Sequence, residues 1–338
     1  MADVAERAGV SVSTVSRTLR GLPVSAKTRL CVERAADELS FAISRSASSL
    51  VTGKTGRIAV LMPSIHHWFQ STALSGIATV LRERGLDLLV YSVTSMRERS
   101  AFLEQLPVRR NADALLVISF ALNPAERQRL KELSMPVVLV SQHAPGCASV
   151  HVDDVDGARR GTQHLINVGH QRIGFVGWSD DTGFLWSAQD RLTGYRHALE
   201  NAQLPWDDAL VTRVVGSPQP KVREAVGHLL SLPEPPTALV AEDDTMAIHI
   251  LGVLRSSHID VPGRMSVLGF DDRDVAEALG LTTVAQPAAE MGRTAAELAL
   301  SLIDEPSTHA TRHITTPTHL VLRGSTAPPS AEPPLFSG

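Results

Sequence analysis

Asp3-Val4-Ala5-Glu6-Arg7-Ala8-Gly9-Val10-Ser11-Val12-Ser13-Thr14-Val15-Ser16-Arg17-Thr18-Leu19 holds two short helical patterns and the turn between them. Val4, Ala5 and Ala8 share one helical face, and Gly9 supplies the stop. Ser11 offers an N-cap hydroxyl to a second helix running to about residue 19, with Val15 and Leu19 facing inward. Ser13, Thr14, Ser16 and Arg17 then face outward, and Gly21 ends the helix. Ser25 caps a third helix from residue 26 to about 39, with Leu30, Ala35 and Leu39 among its inward residues. Two short helices joined by a tight glycine turn fit a helix-turn-helix, whose second helix enters a DNA major groove.

In that geometry Arg17 is placed for a bidentate contact to guanine, Ser13 and Thr14 for base edges or phosphates, and Val12 for a thymine methyl. The competing reading is a solvated helix face. Charge distribution bears on the choice. The 338 residues carry net charge −4, but residues 1–56 hold eight Lys/Arg against five Asp/Glu, and the remainder twenty-four against thirty-one. An anionic partner would therefore dock on the first segment.

The length exceeds one ordinary domain, and 43% hydrophobic with 20% charged residues is the composition of a globular protein. Apolar runs are strand-length, well short of the roughly 18 residues of a membrane span. No basic region followed by an apolar stretch opens the chain, so the expected location is the cytoplasm with no membrane partner. Cys31 and Cys147 are too few for a disulfide framework or a zinc site. The thirteen histidines lack helical ligand spacing; His66 and His67 are adjacent, and His164 and His170 lie six apart. Neither a metal nor a cofactor is expected.

From residue 57 the pattern becomes strand and helix in alternation. Strand-like runs at 57–62, 87–91, 113–118 and 137–140 form one set; 172–177, 210–214, 238–241 and 266–270 form another, with helical stretches near 188–202, 221–230, 246–256 and 288–303. Two α/β lobes with parallel sheets follow, facing each other across a cleft at the carboxyl ends of their strands. Polar and aromatic residues just after strands are the candidates to line it: Ser64, the His66–Phe69 cluster with Trp68 and Phe69, Ser141, the 178–186 segment with Trp186, Asp243 and Asp271. The bland alternative for each is a cap, a turn or apolar packing. No nucleophile elbow, HExxH, P-loop or G-x-G-x-x-G follows a strand, so no catalytic residue is assigned and the chain is not read as an enzyme.

The segment from Asp3 to Leu19 resembles the headpiece of the lactose-repressor (LacI/GalR) family of bacterial regulators. Later blocks are similar to that family's sensor: Val152-Asp153-Asp154, Gly169-His170-Gln171-Arg172-Ile173, Arg191-Leu192-Thr193-Gly194-Tyr195, Val267-Leu268-Gly269-Phe270-Asp271-Asp272 and Gln286-Pro287. The resemblance implies a helix-turn-helix headpiece (residues 1–42), a hinge helix and linker (43–56) and a two-lobed, periplasmic-binding-protein-like sensor and dimerisation domain (57–326). The Pro/Ser-rich composition from Ser325 onward, with no leucine heptad, is that of a disordered tail, assigned to 327–338. The resemblance further implies a homodimer on a pseudo-palindromic operator, a sugar-like effector whose binding alters operator affinity, and a repressor's role. Leu50 would wedge between base pairs through the minor groove. Arg191, Asp243, Asp271 and Gln286 sit where the family holds its effector, and Ser141 where an Asp is common. Two features depart from the family pattern. Met1 nearly abuts Asp3, where headpieces carry a few more residues, so helix one is expected to fray; and Ile43-Ser44 stand where the hinge has Pro-Asn.

Overall fold

The computed structural model describes residues 1–19, 22–41, 54–179, 187–215, 218–305 and 312–330. It divides into two compact units, residues 1–56 and 57–338. No helix among the described residues is long and apolar enough to cross a membrane.

The first unit is three helices: α1 (Ala2–Ala8), α2 (Val12–Leu19) and α3 (Ala26–Glu38). Gly9 stops α1 in the left-handed conformation, φ 64°, which glycine adopts without a Cβ penalty. Ser11 Oγ accepts from Thr14 N at 3.2 Å, and Ser25 Oγ from Thr28 N at 3.1 Å, so both hydroxyls cap as expected. The core is Val4, Ala5, Val15, Val32, Ala35 and Ala36. Leu30 and Leu39 do not join it. They are 68% and 44% exposed, because the buried stripe of α3 runs through Val32, Ala35 and Ala36. Arg7 in α1 pairs with Glu38 in α3 at 2.7 Å.

The second unit contains two six-stranded sheets. The first combines β1 (Arg57–Met62), β2 (Asp87–Ser92), β3 (Ala114–Ile118), β4 (Val137–Val140), β5 (Ala148–Val152) and β11 (His313–Thr316) in the order β11-β5-β4-β3-β1-β2, all parallel. The second combines β6 (Ile173–Trp178), β7 (Val211–Val214), β8 (Ala238–Ala241), β9 (Ser266–Asp271), β10 (Thr282–Ala285) and β12 (His319–Val321) in the order β12-β10-β9-β8-β6-β7; only β12 runs antiparallel. Central strands such as β3, β8 and β9 are buried along their whole length, as a sheet covered on both faces requires.

Helices α4 (Trp68–Glu83), α5 (Met96–Gln105), α6 (Pro124–Lys131) and α12 (Ala288–Asp304) belong to the first lobe; α7 (Asp154–Val168), α8 (Ser187–Asn201), α9 (Pro218–Leu230), α10 (Asp244–Ser256) and α11 (Asp274–Ala278) belong to the second. Thus α12, late in the chain, packs against the first sheet beside α4. The two helices touch backbone to backbone: a Cβ on Gly76 would lie 2.0 Å from Ala289 O, and one on Gly292 2.0 Å from Ala73 O. Both sites admit only hydrogen.

The chain consequently crosses between lobes three times, at Asp153, at Gln286-Pro287 and at Pro317-Thr318. The crossings are tied to their surroundings: Asp153 caps α7, and Arg160 donates to Thr318 O at 2.9 Å. The expected disorder from Ser325 is corrected over the described residues. Ser325 is 3% exposed and its hydroxyl bridges Thr282 N and Val267 O, while Ala327 N donates to Ser266 Oγ at 3.1 Å. These backbone and hydroxyl bonds hold a Pro/Ser-rich segment that composition alone reads as loose.

Candidate functional site

On α2, Val12 is 47% exposed and Ser13 and Arg17 are also exposed, whereas Thr14 and Ser16 are half-buried. Ser11, Ser13 and Thr14 hydroxyls share one hydrogen-bonded cluster, each contact 2.8 Å, and Arg17 Nη2 donates to Pro23 O at 2.9 Å. These donors are already ordered near the surface, and Arg17 can exchange a carbonyl for a base edge. Leu50 lies outside the described residues, as do most of residues 43–56.

A cleft opens between the lobes of the second unit, where strands of both sheets end. It encloses about 760 Å³ of atom-free space, continuous with solvent, and is lined by Pro63, His67, Trp68, Phe69, Gln70, Ser119 and Ser141 from the first lobe, Ser187, Arg191, Glu242, Asp243, Thr245 and Asp271 from the second, and Gln286 from a crossing. Four strand-end residues adopt positive φ: Ser119 (54°), Ser141 (68°), Asp271 (123°) and Asp272 (57°). Such backbones cost of order 1–3 kcal/mol each; Ser119, Ser141 and Asp271 line the cleft, whereas Asp272 pairs with Arg323 at 2.7 Å.

Arg191 is the hub of the second-lobe wall. Its Nε donates to Asp154 Oδ1 at 2.8 Å and its Nη1 to Glu242 O at 2.9 Å, with Asp271 Oδ1 3.6 Å away and the Phe270 ring 3.7 Å beneath the guanidinium carbon. Burial works against its charge, but Asp154, Asp271 and Glu242 outweigh that and raise its pKa. Asp271 accepts from Gln286 Nε2 at 2.6 Å, and burial pushes its carboxyl well above the usual range. Asp243 is both cap and lining: Oδ1 accepts from Met246 N at 2.7 Å, and Oδ2 from Trp178 Nε1 at 2.9 Å. Glu242 accepts from Trp178 N at 2.7 Å, and burial, assisted by the charge of Asp243, pushes it up to about 8. Asp244 faces away from the cleft, bonded to Thr283 Oγ1 and Arg273 N, and burial raises it to about 6.

The structure brings Trp68, Phe69, Ser141, Arg191, Asp243, Asp271 and Gln286 together at the cleft. Ser64 is not among its lining residues; its hydroxyl accepts from His66 N at 3.1 Å and shapes the turn before α4. Trp186 lies outside the described residues. Gln70, Ser119 and Glu242 line the cleft without having been singled out from sequence. Ser119 carries the same signal as Ser141, a hydroxyl directly after a strand, and Glu242 directly follows β8.

The profile of bacterial regulatory proteins, lacI family, matches residues 1–44, and that of the periplasmic binding protein-like domain matches residues 162–326. The HTH-type transcriptional regulator GalR of Escherichia coli (strain K12) is 35% identical over 98% of this chain and 96% of its own length. The HTH-type transcriptional regulator CelR of Thermobifida fusca is 32% identical over 95% and 96%. Among solved structures, a transcriptional regulator CelR–cellobiose complex matches with 30% identity and TM-score 0.71, covering 96% of this chain and 98% of that one. The lac repressor dimer bound to operator and the anti-inducer ONPF matches with 25% identity and TM-score 0.83 over the same shares. On the strength of a lacI-type headpiece and near full-length identity to such regulators, the chain belongs to the lacI family of bacterial regulatory proteins and is a DNA-binding transcriptional regulator.

Proposed function

We propose that this regulator is a cytoplasmic homodimeric repressor whose hold on a pseudo-palindromic operator is set by a sugar-like molecule bound between its lobes. The observation that carries the reading is the cleft itself, built where parallel strands of both lobes end and lined by convergent polar groups. The CelR relative bound to cellobiose supports a carbohydrate-sized occupant.

In this reading Val12, Ser13, Thr14, Ser16 and Arg17 meet DNA, with Leu50 as the minor-groove wedge. Residues 1–42 act as headpiece, 43–56 as hinge and 57–326 as sensor. Trp68 and Phe69 pack on the ligand's apolar face, Ser141 and Gln286 bond its hydroxyls, and Arg191, Asp243 and Asp271 orient it. Gln286 stands in a lobe crossing and bonds Asp271 across to β9, so an effector that engages both couples ligand contact to the angle between lobes. A ligand that prefers one lobe angle shifts operator affinity, and operator shifts ligand affinity by the same factor.

Footprinting of DNA upstream of the gene, with and without a panel of sugars and nucleosides, tests this. Protection of a pseudo-palindrome that one compound abolishes or strengthens is expected. No protection at low salt would overturn the reading.

A further inference from the structure

The second-lobe wall carries three carboxyl groups, Glu242, Asp243 and Asp271, against the single guanidinium of Arg191. Arg191 balances them only in part: its closest ion pair is with a fourth acid, Asp154, at 2.8 Å, and Asp271 Oδ1 stands 3.6 Å from its Nη1. Asp243 has both oxygens occupied by Met246 N and Trp178 Nε1. Glu242 and Asp271 each have one oxygen engaged, by Trp178 N and by Gln286 Nε2. Among the described residues, nothing donates to Glu242 Oε1 or Asp271 Oδ2, although the two residues are only 3% and 7% exposed. The seat of Glu242 is shaped for it: a Cβ at Gly177 would stand 2.7 Å from Glu242 Oε2.

The opposite wall carries no acid; besides His67 and the Trp68 and Phe69 rings it offers uncharged polar groups. Gln70 is 8% exposed and its amide has no partner among the described residues, and the Ser119 and Ser141 hydroxyls lie 3.4 Å apart. Glu242 and Asp271 both line the cleft, where a ligand's donors can meet their oxygens in place of water. An ammonium supplies up to three donors and a compensating charge; a hydroxyl supplies one donor and no charge; a carboxylate or phosphate adds repulsion.

We propose that the effector is an amino sugar whose protonated amine is held by Glu242 and Asp271 while its hydroxyls meet Gln70, Ser119 and Ser141. The assignment rests on the cleft being the effector site. The half-buried Trp68 ring at the cleft gives a cationic ligand a further attractive face.

Calorimetric titration of the full chain with matched triplets tests it: glucosamine, glucose and N-acetylglucosamine, and the galactose and mannose equivalents. A pH of about 6.5, below the ~7.7 of an α-amino group, keeps the amines charged; Glu242, which burial pushes up to about 8, then gives up its proton as the amine binds, so the measured heat is expected to vary with the ionisation enthalpy of the buffer. One amine is expected to bind at least tenfold more tightly than its hydroxyl and N-acetyl counterparts. Glu242→Gln and Asp271→Asn, each checked for retained operator binding, are expected to cut that preference below threefold. A preference intact in both variants overturns the assigned carboxylates. A neutral sugar bound as tightly as its amine twin overturns the amino-sugar assignment and leaves the effector cleft standing; binding of nothing in the panel overturns both. The comparison on the native chain stands even where a variant fails to fold.

Discussion

Glu242 and Arg191 make opposite demands on the same buried wall. The Glu242 carboxyl, pushed up to about 8 from 4.5 by burial, keeps a proton in the native state that the unfolded chain releases. Its contribution to stability therefore falls as pH rises from about 4.5 to 8 and levels off above, since the native carboxyl binds more protons across that window. Asp244, raised to about 6, adds to the fall between 3.8 and 6. Glu242→Gln keeps an acceptor for Trp178 N, and thermal melts are expected to show the steep part of the slope removed, with a gain on the order of 3 kcal/mol at pH 8. A native-like slope in the variant would mean that Glu242 ionises freely. Arg191→Met strands Asp154 and is expected to cost about 3–5 kcal/mol, with Asp154→Asn in the same chain recovering much of it by chemical denaturation. Arg191, Asp271 and Gln286 were legible because they stand in recognisable sequence blocks. Glu242 was not, because beside Asp243 and Asp244 an acid after a strand reads as turn and cap chemistry, the role that Asp243 also fills.

At the scale of elements, α4 and α12 show how little room separates a packed pair from a clash. Gly292→Ala would put a methyl 2.0 Å from Ala73 O, a backbone atom that cannot swing aside. A loss of several kcal/mol is expected, read as a lowered denaturation midpoint. On α2, Arg17→Ala is expected to relax specificity at one operator position by about 1–3 kcal/mol, and an unchanged profile across operator variants would remove Arg17 from the base readers. The apolar strands were readable from sequence, since β1, β4 and β8 coincide with runs of apolar residues. β5, β10, β11 and β12 were not. They are three to five residues long and rich in Thr, Ser and His, and their strand character comes from pairing with neighbours rather than from their own pattern. Leu30 and Leu39 misled for the related reason that hydrophobicity was allowed to stand in for helical phase.

For the molecule as a whole, uneven charge matches division of labour. Residues 1–56 carry net +3 within a chain of net −4, so DNA affinity depends on a small basic unit attached to an acidic body. Operator affinity is expected to drop at least about a thousandfold between 50 and 200 mM salt, the loss typical of six or more phosphate contacts; a flat salt response would show that phosphates are not engaged. Two lobes and their order along the chain were legible from the restart of the strand–helix pattern. The placement of α12 and β11 in the first lobe was not, because nothing in a local window says which sheet a late element joins. That placement has a consequence for synthesis. The first lobe lacks α12, one of the two helices over that sheet face, until residue 304 has left the ribosome and its edge strand until residue 316 has, so part of its apolar sheet face must wait, unburied, through nearly half of translation. At 5–20 residues per second the exposure from residue 152 lasts on the order of ten seconds or longer, a window in which chaperone capture of the nascent chain competes with aggregation.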